Sequence, residues 1–230
     1  MADVFNIGLE QDQFNQKIGG GLPKRSIVLV EGEEGKGKSI LSQRFSFGAL
    51  KNDYTVSLIS SELTVSSFIN QMESLSYDVR DFVLSEKLKV VSLFTNLGDI
   101  KFDKNLIYKV FSSKDLMSSD VIIIDSLNGF LIENLKDVKD IFRFVSTIRR
   151  IADMGKLVVI TFDPKTENDY LKKTLESLSE VFFKVIEVEK YGNFIKQITI
   201  HRFNGAGGDV EETIPFRIRS GIGIVIELAS

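Results

Sequence analysis

The sequence predicts an α/β fold, with a mostly parallel central sheet, helices on both faces and antiparallel strands at its C-terminal edge. Through most of the chain, continuous apolar runs alternate with stretches in which apolar residues recur every three or four positions. Toward the C-terminus, strand-like runs instead follow one another with short turns. The 230 residues, 43% of them hydrophobic, suit a single domain over residues 1–230 with an ample core.

The parallel strands are predicted from apolar or β-branched runs, the form expected where a strand is buried on both faces. They cover residues 26–30, 55–60, 88–93, 121–124 and 157–162. The helices between them follow the 3.6-residue period of apolar positions. They cover residues 40–50, 65–75, 138–152 and 171–178, and the start of the last one is left open by the pattern. Gly155 stands where the third helix would have its C-terminal cap.

The C-terminal part is predicted to be antiparallel, because its strands are joined by short turns such as residues 191–193. These strands cover residues 181–189, 194–202 and 221–228. Segment 95–118 is the least regular part of the chain, and a short helix around residues 105–111 is its one candidate element.

The composition excludes several kinds of chemistry. The net charge of −3 gives the chain no general attraction to nucleic acid. The absence of cysteine excludes disulfides, thiol catalysis and Cys-ligated zinc, and it suits a reducing cytoplasm. The N-terminus lacks a basic-then-apolar signal pattern, and no apolar run is long enough to span a bilayer. Membrane association is therefore expected to run through a partner rather than by direct insertion.

Residues 32–39 read G-E-E-G-K-G-K-S, a complete G-x-x-x-x-G-K-S phosphate-binding loop between a predicted strand and a predicted helix. Its glycines let the backbone wrap so that N–H groups face phosphate oxygens, and the following helix adds its positive end. Lys38 can reach the β- and γ-phosphates, and Ser39 can ligate Mg²⁺. The alternative is a glycine-rich turn without a ligand, but eight residues and both flanks agree with a nucleotide site.

The predicted nucleotide-binding residues are Gly32, Glu33, Glu34, Gly35, Lys36, Gly37, Lys38, Ser39, Ile40 and Thr161. The side chains of Glu33, Glu34 and Lys36 are expected to face solvent or a neighbour, because such a loop binds phosphate through its backbone.

Acidic residues follow two of the predicted strands on the side where ligands of open α/β sheets bind. Asp125 closes the apolar run 121–124 and, with Ser39, is the predicted holder of Mg²⁺; the alternative is an ordinary polar strand end. Glu62 is the candidate catalytic base for an attacking water, or else a helix N-terminal residue favoured by the macrodipole. Thr161 and Asp163 are candidates to sense the γ-phosphate or contact the water, with ordinary strand ends as the alternative.

Residues 18–32, I-G-G-G-L-P-K-R-S-I-V-L-V-E-G, resemble the opening of KaiC-like ATPases of the RecA superfamily. The P-F-R-I run at residues 215–218 resembles the end of the same domain, so the resemblance covers nearly the whole chain as a single RecA-like domain. With S-S-E-L-T at residues 60–64, the chain is similar to the accessory ATPases of the archaeal flagellum (archaellum) motor.

That resemblance implies ATP as the nucleotide and a cytoplasmic place beside a membrane-anchored motor. It also implies docking on the archaellum motor ATPase and on the ring or membrane components around it. Nucleotide-dependent self-assembly is implied as well, with a hexameric ring as one form of the homo-oligomer.

Two departures from the family pattern point to slow turnover. KaiC-like enzymes usually carry two adjacent glutamates after the second strand, and here Ser61 takes the first place before Glu62. The family also tends to show Lys-x-Arg-Gly on a late strand, reaching a neighbour's nucleotide. The corresponding run is residues 202–205, in which Arg202 keeps one positive charge and Asn204 loses the other. A charge supplied in trans is worth about 10³–10⁵ in rate in related phosphoryl-transfer systems.

Three functions are therefore weighed. The favoured one is an ATP-binding regulatory or assembly subunit of the archaellum motor, with slow or absent hydrolysis and nucleotide-dependent docking. The alternative is an active KaiC- or RadA-like ATPase in signalling or DNA transactions. The loops after residues 125 and 162 lack the strong basic character expected for tracking nucleic acid. A structural scaffold with a vestigial site is the third, and the complete loop and metal acid disfavour it.

Overall fold

The computed structural model describes residues 3–10, 12–93, 106–127, 135, 137–165, 168–190 and 192–227. Its strands are β1 (Val4–Phe5), β2 (Leu22–Pro23), β3 (Ser26–Gly32), β4 (Val56–Ser60), β5 (Leu88–Ser92), β6 (Val121–Leu127), β7 (Leu157–Phe162), β8 (Val181–Lys190), β9 (Asn193–Phe203), β10 (Thr213–Arg219) and β11 (Gly223–Ile226). Its helices are α1 (Phe14–Lys17), α2 (Lys38–Lys51), α3 (Val65–Ser74), α4 (Arg80–Leu84), α5 (Leu106–Ser112), α6 (Lys114–Ser118), α7 (Val138–Asp153) and α8 (Asp169–Leu178).

One nine-stranded sheet organises the molecule, in the order β11-β10-β9-β8-β3-β7-β6-β4-β5. Every neighbouring pair from β8 to β5 is parallel, whereas the pairs β8–β9, β9–β10 and β10–β11 are antiparallel. Strands β1 and β2 form a separate antiparallel ribbon. The predicted architecture is therefore confirmed, including the antiparallel C-terminal edge.

Most predicted elements appear close to their expected bounds, and three differences are notable. Strand β6 continues past Ile124, because a bulge before Leu127 keeps Asp125 and Ser126 in the strand. Strand β10 was not predicted, since a proline disfavours a central strand; here Pro215 needs only its carbonyl, which accepts from Glu227 N–H at 2.9 Å. The last strand begins at residue 223 rather than 221, after a turn.

The irregular segment and the end of α7 also follow the sequence patterns. Helix α5 falls where a short helix was expected, although residues 94–105 of the irregular segment lie outside the described residues. Gly155 adopts φ 96° just past the end of α7, as expected for a C-terminal cap. The described turn residues 192–193 join β8 to β9, and residue 191 lies outside the description.

The two faces of the sheet carry separate hydrophobic cores. One core packs α2 and α3 against the sheet, and it is rich in phenylalanine, including Phe14, Phe45, Phe68, Phe183 and Phe216. The other packs α7 and α8 against the opposite face, around Phe144, Ile148, Phe162 and Leu171. Continuous apolar strands follow from this arrangement, because the central strands are covered on both sides.

Helix α2 is anchored from the N-terminal segment by a buried ion pair. The side chains of Arg44 and Asp12 are 0% and 1% exposed, and Arg44 Nη2 lies 2.6 Å from Asp12 Oδ1. Arg44 also donates to the carbonyl of Ile7 at 2.6 Å, and its guanidinium lies 5.1 Å from the centroid of the Phe14 ring. Because α2 begins at Lys38, this anchor fixes the helix whose first turn belongs to the phosphate loop.

Within the described residues, no helix has the length and apolar character needed to cross a bilayer.

Candidate functional site

The predicted phosphate loop joins β3 to α2, and glycines shape it in two different ways. Gly35 and Gly37 adopt φ 74° and 108°, in the left-handed region that favours glycine. Gly32 has no such φ; a Cβ there would lie 3.1 Å from the carbonyl oxygen of Val185 on β8. The first glycine is therefore required by the close approach of a neighbouring strand, and the other two by backbone conformation.

Lys38 brings a positive charge to this turn. The residue is 6% exposed, and its ammonium group has no ion pair or hydrogen bond to any residue that the structure describes. The N–H groups of Ser39 and Ile40 open α2 and also lack an acceptor in that part of the chain, while Gly37 provides no side-chain cap. A cation without an acidic partner and free amides at a helix N-terminus both favour a bound anion.

Asp125 lies beside that turn and accepts three hydroxyl hydrogen bonds. Ser39 Oγ and Thr161 Oγ1 donate to its Oδ1 at 3.0 and 2.7 Å, and Ser42 Oγ donates to its Oδ2 at 3.1 Å. Burial raises the pKa of this 4% exposed carboxyl above its ordinary value, and the charge of Glu62 acts in the same direction, against the three hydroxyls. A cation beside Asp125 would stabilise the charged form of this carboxyl.

These residues fit a magnesium-bound nucleotide. Ser39 and Asp125, the two predicted metal ligands, are in direct contact and both offer oxygen atoms, which Mg²⁺ prefers. No group of three or more His, Cys, Asp or Glu side chains able to hold a metal occurs among the described residues. A magnesium ion here would therefore complete its shell with phosphate oxygens and water, as is usual when it accompanies nucleotides. When bound, it would neutralise charge on the phosphates.

Glu62 is held toward the same end of the sheet. It follows β4, its carboxylate accepts a short hydrogen bond from Ser126 Oγ, and its charge bears on Asp125. The side chain is otherwise exposed, so water has access to it. The structure thus brings the candidate base near the predicted metal acid, without assigning it a role.

Ser61, which takes the place of a family glutamate, is committed to the backbone of β6. Its hydroxyl donates to the carbonyl of Ser126 at 2.7 Å and accepts from the N–H of Ser126 at 3.2 Å. The residue is 7% exposed, so its side chain points into the sheet rather than toward a ligand. The peptide bond between Asp125 and Ser126 is cis.

The charged side chains of the loop point away from its amides, as expected. Glu33 pairs with Lys165 at 3.1 Å, and Lys36 pairs with Glu187 at 2.6 Å, while Glu34 is exposed. Contacts with phosphate from this segment would therefore come from the backbone and from Lys38.

The family pattern implies that Arg202 offers a charge to a neighbouring subunit. In this structure its guanidinium contacts backbone carbonyls of its own chain. Its Nη1 donates to the carbonyl oxygens of Glu176, Ser177 and Ser179 at 2.6, 3.4 and 2.9 Å. These carbonyls end α8, where a cation is favoured by the helix dipole. The guanidinium is therefore used within its own chain.

Two serines of the site, Ser42 and Ser126, were not singled out from the sequence, and the contacts of Ser61 were not foreseen. Ser42 lies three residues after Ser39 on α2, and that spacing places both hydroxyls on one face of the helix. Ser61 and Ser126 depend on the pairing of β4 with β6, which joins Ser60 to Asp125. Asp163, the other candidate after β7, accepts a hydrogen bond from Lys165 N–H at 2.9 Å in its own turn.

Comparison with known proteins agrees with this geometry. The KaiC ATPase family model matches residues 9–229. An archaeal flagellar ATP-binding protein FlaH of Methanococcus voltae is 33% identical over 224 residues, covering 97% of each chain. The protein of that name from Methanocaldococcus jannaschii is 31% identical, over 100% of this chain and 98% of its own. The crystal structure of flagellar accessory protein FlaH from M. jannaschii superposes with a TM-score of 0.89 and 30% identity, covering 99% of this chain and 100% of that one.

Proposed function

The chain belongs to the KaiC family of ATPases, and on that premise we propose that it is an ATP-binding regulatory or assembly subunit of the archaellum motor. Relatives aligned over nearly their whole length carry the name archaeal flagellar ATP-binding protein, which supports both the nucleotide and the setting. ATP and Mg²⁺ are the proposed ligands. The observation that carries the ATP site is the Lys38 ammonium, which has no ion pair or hydrogen bond among the described residues and directly precedes Ser39, the partner of Asp125.

Slow or absent hydrolysis is part of the proposal. Hydrolysis needs a group that orients or deprotonates the attacking water. The place of one family glutamate is taken by Ser61, whose hydroxyl is saturated by the backbone of Ser126. Arg202, the remaining candidate for a charge in trans, is engaged by carbonyls at the end of α8. Both features support slow turnover, so that bound ATP persists as a state of the protein.

Nucleotide-dependent docking follows if a partner binds one state better than the other. Two charged loop residues, Glu33 and Lys36, already contact other elements through the Glu33–Lys165 and Lys36–Glu187 pairs. A change in the loop on binding ATP would therefore reach the surface. The proposed partners are the motor ATPase and the ring or membrane components, in the cytoplasm at the membrane-anchored motor, with self-assembly into a homo-oligomer such as a hexamer.

The test of ATP binding is a titration with fluorescent ATP and Mg²⁺, comparing the protein with its Lys38→Ala and Lys51→Ala variants. Lys51 is exposed at the other end of α2, so its removal makes the same charge change far from the loop. We expect K38A to weaken binding by at least about 100-fold, because charge-assisted hydrogen bonds are each worth about 1.5–3 kcal/mol. K51A should bind normally. Unchanged affinity in K38A would reject the site.

The test of docking is a pull-down with the purified motor ATPase, with and without Mg-ATP. Docking should require ATP in the unaltered protein and should fail in K38A under all conditions. Full docking by a K38A protein shown to bind no ATP would reject the regulatory mechanism while leaving the ATP site in place.

An active ATPase is the second candidate, favoured by one observation. Glu62 is held by Ser126 and lies close enough to Asp125 for its charge to raise the pKa of that carboxyl. Single-turnover hydrolysis of Mg-ATP discriminates the two candidates. Turnover above about 1 s⁻¹, within the ordinary range for enzymes, that is lost in Glu62→Gln would favour the active ATPase.

A further inference from the structure

Strands β8 and β9 extend past their neighbours as a two-stranded arm, residues 186–195. Strand β8 pairs with β3 only as far as Val185, and β9 pairs with β10 only as far as Lys196. The two strands remain paired with each other up to Lys190 and Asn193. In the part of the chain that the structure describes, the arm has no third strand beside it. A two-stranded ribbon is marginally stable alone, so contacts at its base decide how it is held.

Two polar contacts tie the base of the arm to the phosphate loop, and a third joins the two strands of the arm to each other. Lys36 Nζ lies 2.6 Å from Glu187 Oε2, and Lys196 Nζ lies 3.6 Å from Glu187 Oε1. Lys196 Nζ also donates to the carbonyl oxygen of Gly35 at 2.9 Å. Glu187 and Lys196 are direct partners across the two strands, so both side chains leave the same face. The hydrogen bond from Lys36 holds the pKa of Glu187 below its ordinary value.

A cleft of about 360 Å³ lies under these contacts, between loop and arm. Its lining includes Gly32 and Lys36 from the loop and Ile186 and Glu187 from the arm. Residues of the loop and of the arm thus face a common cleft. A change in the shape of the loop would act on the arm through the Lys36–Glu187 pair and through Lys196, which also binds the Gly35 carbonyl.

We propose that Glu187 is a positioning residue of the phosphate loop, and that it joins the loop to the β8–β9 arm through Lys36 and Lys196. Occupancy of the loop by ATP then changes the arm, and by linkage any ligand of the arm changes the affinity for ATP by the same factor. The inference rests on the proposed ATP site. It goes beyond that site because Glu187 lies outside the loop. Its contacts with the loop run through Lys36 and Lys196.

Two physical effects of removing the Glu187 charge have opposite signs, which makes the proposal testable. Through the electrostatic field alone, loss of a negative charge near the loop strengthens the binding of an anion. Through positioning, loss of the contacts to Lys36 and Lys196 loosens the loop and weakens binding. The sign of the change in affinity therefore decides between them.

The affinity experiment compares Glu187→Gln with Glu189→Gln. Glu189 lies two residues further along β8, on the same face, and its side chain has no ion pair or hydrogen bond to any residue described. We expect E187Q to raise the Kd of Mg-ATP about threefold to tenfold, mainly through faster dissociation, as suits the loss of exposed ion pairs. E189Q removes the same charge as E187Q, and its Kd for Mg-ATP should stay within about twofold of that of the unaltered protein. Tighter or unchanged binding in E187Q would overturn the proposal.

A reporter on the arm tests the coupling directly. The chain contains no tryptophan, so Phe194→Trp places a single indole on the arm, at a residue that is 71% exposed. The control is Leu84→Trp, at an 82% exposed residue that ends α4 before the start of β5, at the opposite edge of the sheet.

Mg-ATP should change the emission of F194W and leave that of L84W unaltered. In the double variant with F194W and E187Q, saturating Mg-ATP should cause at most half the change seen in F194W alone. A silent F194W in a protein that binds Mg-ATP would reject the coupling and leave the proposed function intact. If the unaltered protein binds no Mg-ATP, the proposed function itself fails.

Discussion

Replacing Asp125 with asparagine should separate the stability of the protein from its use of magnesium. In the unliganded protein the carboxylate is buried, and burial outweighs its three hydroxyl hydrogen bonds in setting the raised pKa. Asparagine keeps an acceptor for Ser39 and Thr161, and the Ser42 hydroxyl can turn to accept from its amide. We therefore expect the unliganded D125N protein to unfold at the same temperature as the unaltered protein or at a higher one near pH 7.5.

The dependence on pH has a definite sign. The pKa of Asp125 is raised in the folded state, so the folded protein binds a proton at this carboxyl more readily than the unfolded chain does. The destabilisation from its charge is present above the folded pKa and fades as pH falls toward the ordinary value of 3.8. Any advantage of D125N should therefore be largest near neutral pH and should shrink on acidification.

The size of the ligand effect follows from mass action. Mg-ATP at one hundred times its Kd stabilises a folded protein by about 2.7 kcal/mol. For a chain of this length each kcal/mol raises Tm by about 2–4 °C, so the unaltered protein should gain roughly 5–10 °C. In D125N the gain from adding magnesium to ATP should fall below about 2 °C, because the acid that holds the ion has lost its charge.

Thermal unfolding by circular dichroism, with ATP alone and with ATP plus Mg²⁺ at several pH values, measures both effects. Ser179→Ala serves as a control, since it removes a buried polar group at the end of α8, outside the predicted site. A D125N protein that keeps the full magnesium-dependent gain would refute Asp125 as the metal acid. A fall of several degrees in the unliganded Tm would refute the argument from burial.

Three further substitutions have expected outcomes. Asp12→Ala leaves Arg44 buried without its partner, so urea unfolding should show a loss of about 3–5 kcal/mol, and a loss below about 1 kcal/mol would contradict the anchor. Gly48→Ala usually stabilises a helix interior by about 1 kcal/mol, but here its Cβ would lie 2.4 Å from the Ile7 carbonyl, so the same measurement should show destabilisation. Ser61→Glu restores the paired glutamates, yet it should lower Tm without speeding single-turnover hydrolysis; faster hydrolysis would show that this position supplies the base.

Much of the fold could be predicted because its signals are local. Strands β3, β6 and β7 are continuous apolar runs, and α7 shows strong helical spacing. What could not be predicted depends on contacts between distant segments. Strand β10 contains a proline whose missing N–H matters only once its neighbours are known.

The candidate site divides in the same way. The sequence paired Ser39 with Asp125 as metal ligands, and the structure joins their side chains by a hydrogen bond of 3.0 Å. The order of strand, loop and helix that leads to Ser39 is written in consecutive residues. Single-residue inspection could not reveal that Ser61 bonds to the β6 backbone, since this requires the register of β4 on β6. Arg202 was assigned by its position in a motif, and the end of α8 that binds it lies far away in the sequence.

The arrangement of Ser61 bears on the proposed slow hydrolysis. If Ser61 faced the ligand, the chain would simply lack one carboxylate there, and a single substitution could restore it. Instead its hydroxyl is bonded to both backbone groups of Ser126, the residue that in turn donates to Glu62. The carboxylate of Glu62 is thus held by Ser126, whose backbone is in turn held by Ser61. The segment after β4 is therefore stabilised by its own hydrogen bonds. Slow hydrolysis here would then follow from the arrangement of the whole segment rather than from the loss of a single side chain.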